Sequence, residues 1–167
     1  YVGIEVCMST GVPILLNSRY GIDLKTWGVL GNAFFFIAIL SGRFIGSIAL
    51  NWLNSSTFLK ITTITSIVGI ALIFIDNQWV TVIGIFITGL GFANVFPLIF
   101  STTIDAMPER SNEISGLMVT AIAGGAFIPP IMGFVADYTS VTLGFIVPLA
   151  GLAFVTWLAF QHKTINK

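Results

Sequence analysis

Glu5 and Arg43 stand inside stretches that are otherwise almost wholly apolar. An ionisable group at such a position is costly in hydrocarbon and is by default a functional candidate. Taken as helices, the two stretches run antiparallel. Counting at ~1.5 Å per residue from Asn17 places Glu5 ~18 Å below one membrane face, and counting from Trp27 places Arg43 ~24 Å below the same face. That separation is about one helical turn, within reach of an arginine side chain. Two chemistries fit. The residues can neutralise each other, or nearby backbone groups, and hold helices together. Alternatively Glu5 faces a water-filled cavity, where a carboxylate binds a hydroxylated molecule or takes up a proton, a protonation that a nearby Arg43 would oppose.

A second polar line runs through Asn94, Pro97, Ser101 and Asp105, whose spacings of three and four predict one helical face. Thr88 and Thr102 add hydroxyls. A buried amide offers both a donor and an acceptor, a good match to a polyhydroxylated ligand. Phe96 and Phe100 offer flat apolar surfaces against which a ring can lie. The competing reading is that Asn94 bonds a neighbouring helix. Asn32 is a weaker candidate of the same kind. Pro13, Pro97, Pro129, Pro130 and Pro148 fall inside apolar stretches, where each removes a backbone donor and favours a bend. Small residues at Gly42 and Gly46, at Gly84, Gly89 and Gly91, and at Ala121, Gly124, Gly125 and Ala126 permit close helix approach. No catalytic constellation is present. Cys7 has no histidine partner, His162 lies at the tail, and neither HExxH nor GxSxG occurs. The expectation is a protein that is not an enzyme and holds no metal or cofactor.

The elements that must position these residues follow from composition. Of 167 residues, 56% are hydrophobic and 8% charged, the seven basic and seven acidic side chains cancel, and mean hydropathy is +0.98. Soluble domains carry about 25% charged residues, so this chain cannot coat itself for water. Zero net charge argues against nucleic-acid binding, and one cysteine excludes an internal disulfide framework. A bilayer is the remaining environment. A membrane-crossing helix needs about 20 apolar residues, and apolar stretches fall at 1–17, 27–53, 58–75, 79–104, 114–136 and 141–160. Between them lie NSRYGIDLKT, NSST, DNQ, DAMPERSNE and ADYTS, rich in turn and cap formers. The runs are too long and too little alternating for a β-barrel. Six transmembrane helices are predicted. Lys60, Arg110, Lys163 and Lys167 fall on the C-terminal side and Arg19 and Lys25 on the other, favouring a cytoplasmic C-terminus. Trp27, Trp52, Trp79 and Trp157 suit the interfacial belt. The first run has no basic region before it and no small-residue cleavage pattern. It therefore reads as part of the first helix of a longer protein rather than as a signal peptide.

The segments YVGIE (1–5), GRFIGS (42–47), FPLIFS (96–101) and AGGAFIPPIMGFVAD (123–137), in this order on six spans, resemble the C-terminal half of the major facilitator superfamily. Within it the chain is similar to the fucose–galactose–glucose:proton symporters. The resemblance covers residues 1–167 and implies an all-α, six-helix bundle of inverted 3+3 repeats whose N-terminal six-helix partner lies outside this sequence. It implies a cell-membrane transporter working by alternating access, with a sugar (hexose or deoxyhexose) and a proton as partners. By position it places Glu5, Ser9, Asn94, Phe96 and Ser101 along the substrate path and leans Arg43 toward gating or packing. Glu5 after YVGI looks more like the glucose/galactose branch than the fucose branch. The principal alternative is an exporter or antiporter of drugs or other metabolites on the same fold. A self-sufficient six-helix channel would need polar rings along a pore, and none is visible.

Overall fold

The computed structural model describes residues 1–23 and 29–161, and every regular element among them is helical. Lys25, Trp27, His162, Lys163 and Lys167 lie outside the described residues. The first three helices are α1 (Val2–Tyr20), α2 (Val29–Ala49) and α3 (Ser55–Ile73). The next rod is broken into α4 (Gln78–Phe92) and α5 (Val95–Ala106). A 3-10 turn at Pro108–Arg110 leads into α6 (Ser111–Ala121) and α7 (Gly124–Tyr138), and the chain finishes with α8 (Val141–Gly144) and α9 (Ile146–Gln161). Five segments are long and apolar enough to cross a membrane: Gly31–Ala49, Ser55–Ile73, Gln78–Ala106, Pro108–Tyr138 and Val141–Gln161. The sixth expected crossing, α1, is a 19-residue helix that does not reach the same apolarity, carrying Glu5, Ser9, Thr10, Asn17, Ser18 and Arg19.

Several predicted linkers turn out to be helix caps. Asn54 accepts from the Thr57 N–H, Asn77 from those of Trp79 and Val80, and Ser140 from that of Leu143. Each side chain occupies donors that the first helical turn leaves without partners. At the other end of α1 the helix runs on through Asn17–Tyr20 before Gly21, in the left-handed region at φ 65°, stops it.

That less apolar helix, α1, contributes to the centre of the bundle. Cys7, Met8, Val12, Leu15 and Leu16 of α1 are buried in a core shared with Phe35, Ile39, Ile70, Ile73, Ile85, Phe92, Met132, Phe145 and Leu152. Its partly covered or exposed positions recur as Glu5, Ser9, Pro13 and Asn17, one stripe at helical spacing. Several polar positions on the other helices are dealt with locally. The hydroxyls of Thr62, Thr63, Ser66 and Thr88 donate to carbonyls three or four residues earlier. Such back-bonding lets a hydroxyl enter an apolar layer without an unmet donor.

The tightest helix pair is α3 with α4. A side chain at Gly84 would meet the Gly69 carbonyl, and one at Gly91 would meet the Thr62 carbonyl. Of the small-residue sites expected from sequence, Gly42, Gly46, Gly84, Gly89 and Gly91 are all such contacts. Gly124 has open space where a side chain would project, and Ala121 is exposed. The outward surface is apolar, with Leu40 and Phe44 on α2, Leu117 on α6 and Phe127 on α7 each about 70% exposed. In water such a surface would be a large adhesive patch; facing lipid it is solvated. With five helices of crossing length, the chain is a multi-pass membrane protein.

Candidate functional site

The most irregular point of the bundle is the two-residue interruption between α4 and α5. Ala93 remains helical at φ −48°, ψ −39°, and Asn94 departs at φ −112°, ψ −1°. Pro97 follows one turn later, in the position whose missing N–H would otherwise have bonded the Ala93 carbonyl. Non-helical backbone at membrane depth requires other partners for its polar groups, and here two side chains supply them while a third, from the break itself, ties it to α2. The Tyr1 hydroxyl donates to the Phe92 carbonyl at 3.0 Å, and Arg43 Nε donates to the Ala93 carbonyl at 3.4 Å. The Asn94 amide donates to the Gly42 carbonyl of α2 at 2.8 Å.

The same residues gather the polar candidates. Tyr1, the N-cap of α1, and Glu5 lie one turn apart, and the Glu5 carboxyl is near enough to act electrostatically on the Tyr1 hydroxyl, which donates to the Phe92 carbonyl. Arg43 is near enough to act on that hydroxyl electrostatically. Glu5 and Arg43 form no direct ion pair. Around them runs an aromatic surface: the Tyr1 ring lies 5.1 Å from that of Phe92 and stacks on Phe96 at 6.0 Å, and Phe96 continues to Phe100 at 6.1 Å. The result is a carboxylate and a guanidinium beside a strip of ring faces, with Arg43 itself exposed. Such a surface can hydrogen-bond hydroxyls at its edge while the apolar face of a ring lies on the aromatics.

The remaining sequence candidates are distributed as follows. Ser9 lies on the Glu5 stripe of α1, its hydroxyl donating to the Val6 carbonyl at 3.1 Å. Ser101 is exposed on α5 and donates to the Leu98 carbonyl at 3.3 Å. The straight face expected for Asn94, Pro97, Ser101 and Asp105 is divided. The helix break turns Asn94 inward, where it is 8% exposed, while Pro97, Ser101 and Asp105 face outward. Close packing holds Asn94 there, because a Cβ at Gly46 would fall 2.6 Å from its Cγ and Oδ1. Asn32 on α2 has a buried Oδ1 without a hydrogen-bond partner. Pro13 sits in an unbroken α1, and Pro129 and Pro130 lie inside α7. The interruption of that rod comes earlier, at Ile122–Ala123, where backbone bonds shorten to three-residue spacing.

Sequence reasoning missed Tyr1 and Phe92. The available signal was Tyr1 four residues before Glu5, a spacing that puts two side chains on one helical face. Two apolar cavities lie away from this cluster: one of about 240 Å³ lined by Leu16, Ile22, Phe34, Trp79 and others, and one of about 410 Å³ lined by Leu59, Ile99, Val155, Leu158 and others.

No family model matches the chain. It is similar to the glucose/galactose transporter of Brucella abortus, at 26% identity over 158 residues, covering 94% of this chain and 38% of that protein. It is similar to the L-fucose-proton symporter of Haemophilus influenzae at 27% over 174 residues, covering 100% of this chain and 40% of that protein. A third relative is the glucose/mannose transporter of Bacillus subtilis, at 24% over 145 residues, covering 86% and 35%. The chain thus spans about two fifths of the length of these curated relatives.

Proposed function

We propose that residues 1–167 form the C-terminal six-helix bundle of a major facilitator superfamily sugar:proton symporter, acting by alternating access with an N-terminal bundle of the same protein. In this reading α1 is a crossing helix, and the six rods are two inverted three-helix repeats. The observation that carries the proposal is the cluster at the α4–α5 break, where Glu5 and Arg43 stand beside the Tyr1–Phe96–Phe100 ring faces. Discontinuous helices near the midplane are where secondary transporters commonly build substrate and ion sites. Support for a hexose or deoxyhexose as cargo comes from the names of the three relatives, and support for proton coupling from one of them.

Each residue has a part. Glu5, Ser9, Phe96 and Ser101 face the substrate path, with the carboxylate accepting from sugar hydroxyls and the ring of Phe96 lying under the sugar. Glu5 exchanges a proton or binds the sugar, and Arg43 gates. Asn32, with its unpartnered oxygen, supplies an amide, and the Asn94 oxygen borders the path while its amide nitrogen is held by the Gly42 carbonyl. Pro13, Pro97, Pro129 and Pro130 serve as bending points during the rocking motion. Lys60 and Arg110 at the end opposite Arg19 support a cytoplasmic C-terminus in the cell membrane.

The test is uptake of labelled glucose, galactose and fucose by the full-length protein in proteoliposomes, with and without an imposed proton gradient. Glu5→Gln is expected to abolish gradient-driven accumulation. Uptake and pH dependence unchanged in that variant would remove Glu5 from the mechanism. Failure of every hexose to compete, with displacement by apolar cations, would replace the sugar reading with the exporter reading.

A further inference from the structure

Arg43 has a role that neither ion pairing with Glu5 nor gating accounts for. In a continuous helix the Ala93 carbonyl would accept from the N–H of residue 97, and that residue is Pro97, which has none. The ladder resumes at the next position, where the Leu98 N–H donates to the Asn94 carbonyl at 3.0 Å. One carbonyl is therefore left over by one proline, and Arg43 Nε is the group that reaches it, at 3.4 Å. The bond is reciprocated. Asn94, next to Ala93, donates its amide to the carbonyl of Gly42, next to Arg43. Residues 42–43 of α2 and 93–94 of the break thus exchange two hydrogen bonds at a point where Gly42 lets α2 close on the Leu90 backbone and Gly46 makes room for the Asn94 side chain.

We propose that Arg43 is a positioning residue: it replaces the backbone donor that Pro97 removes, and so locks α2 to the α4–α5 break. In doing so it fixes the angle at which α5 leaves the break, and hence the placement of Phe96 against Tyr1. The inference concerns the break itself and holds whatever the cargo is.

The experiment is a double-mutant cycle in the full-length protein, read by thermal unfolding in detergent without any sugar present. Wild type, Arg43→Met, Pro97→Ala and the double variant are compared. Arg43→Met is expected to lower the midpoint by several degrees when Pro97 is present. In the Pro97→Ala background, where a restored N–H serves the Ala93 carbonyl, it is expected to cost less than half as much. Transport is expected to fall several-fold in Arg43→Met, and by a smaller factor when the same substitution is made on Pro97→Ala, the remaining loss being the gating part of Arg43. An equal loss of midpoint in both backgrounds would overturn the proposal. Should Pro97→Ala fail to fold, Arg43→Lys decides. A midpoint near wild type supports a donor role, and a loss equal to that of Arg43→Met overturns it. Because the unfolding cycle uses no substrate, its outcome is independent of whether the protein carries sugar.

Discussion

Substituting Gly84 by alanine puts one methyl group into the closest helix contact of the bundle. The new Cβ would fall 2.7 Å from the Gly69 carbonyl oxygen and 2.9 Å from Leu72 Cβ, against the 3.4 Å at which ordinary contact begins. The shortfall is about 0.7 Å, and neither neighbour can rotate away: one is backbone, the other the first atom of a side chain. The helices must part along a seam that also holds Gly69, Thr88 and Gly91. Overpacking of this kind costs about 1–3 kcal/mol. Alanine returns about 0.5–1 kcal/mol over glycine inside a helix. The balance is a loss of up to about 2.5 kcal/mol, equivalent to a fall in midpoint of up to roughly 10 °C at 2–4 °C per kcal/mol. Gly133 on α7 supplies the control, since a Cβ there meets nothing within 4 Å. Gly133→Ala is therefore expected to leave the midpoint unchanged or raise it. Thermal unfolding of both variants under one detergent condition checks the pair. A midpoint for Gly84→Ala at or above that of Gly133→Ala would refute the argument that backbone contact, and not helix propensity, governs these positions.

Two further outcomes follow from the helix ends. Asn77 accepts from the N–H groups of both Trp79 and Val80, at 3.0 and 3.2 Å, so Asn77→Ala is expected to destabilise by about 1 kcal/mol, measurable as a lowered unfolding midpoint. Arg19 donates to the Ile73 carbonyl at 2.6 Å and to Asp76 at 3.1 Å, and the Asp76 side chain is 86% exposed. The carboxylate partner is well solvated and counts for little, whereas the carbonyl belongs to the last turn of α3. Arg19→Met is therefore expected to lower the midpoint clearly more than Asp76→Asn, and equal losses would reverse that assignment.

The helical architecture was legible because its signal is local. Five of the six apolar stretches coincide with segments of crossing length, and Asn54, Asn77 and Ser140 between spans are caps that start the next helix. The candidate site was legible only in part. Glu5 and Arg43 stood out because charge is so scarce here that any ionisable residue inside a span is conspicuous. What the spacing of Asn94, Pro97, Ser101 and Asp105 could not reveal is that the helix breaks beside its first member. A polar face drawn on a straight cylinder loses its register when two residues leave the helix. Ala121 and Gly124 failed differently, because small residues permit close approach without compelling it: Ala121 is exposed, and where α1 closes on the Gly124 carbonyl the space is made by Gly3 and not by Gly124, whose own Cβ direction is open.

Composition alone determined that the chain lives in a bilayer, since 8% charged residues cannot cover a water-facing surface of this size. Hydrophobic run length determined where its helices lie. Which partner each polar group takes was decided only in three dimensions. Arg43 is 38 positions from Glu5 and 50 from Ala93, and nothing in one dimension says which of the two it reaches. That depends on how closely α2 can approach the α4–α5 break, which glycine contacts permit, and on a carbonyl that a proline has left without its donor.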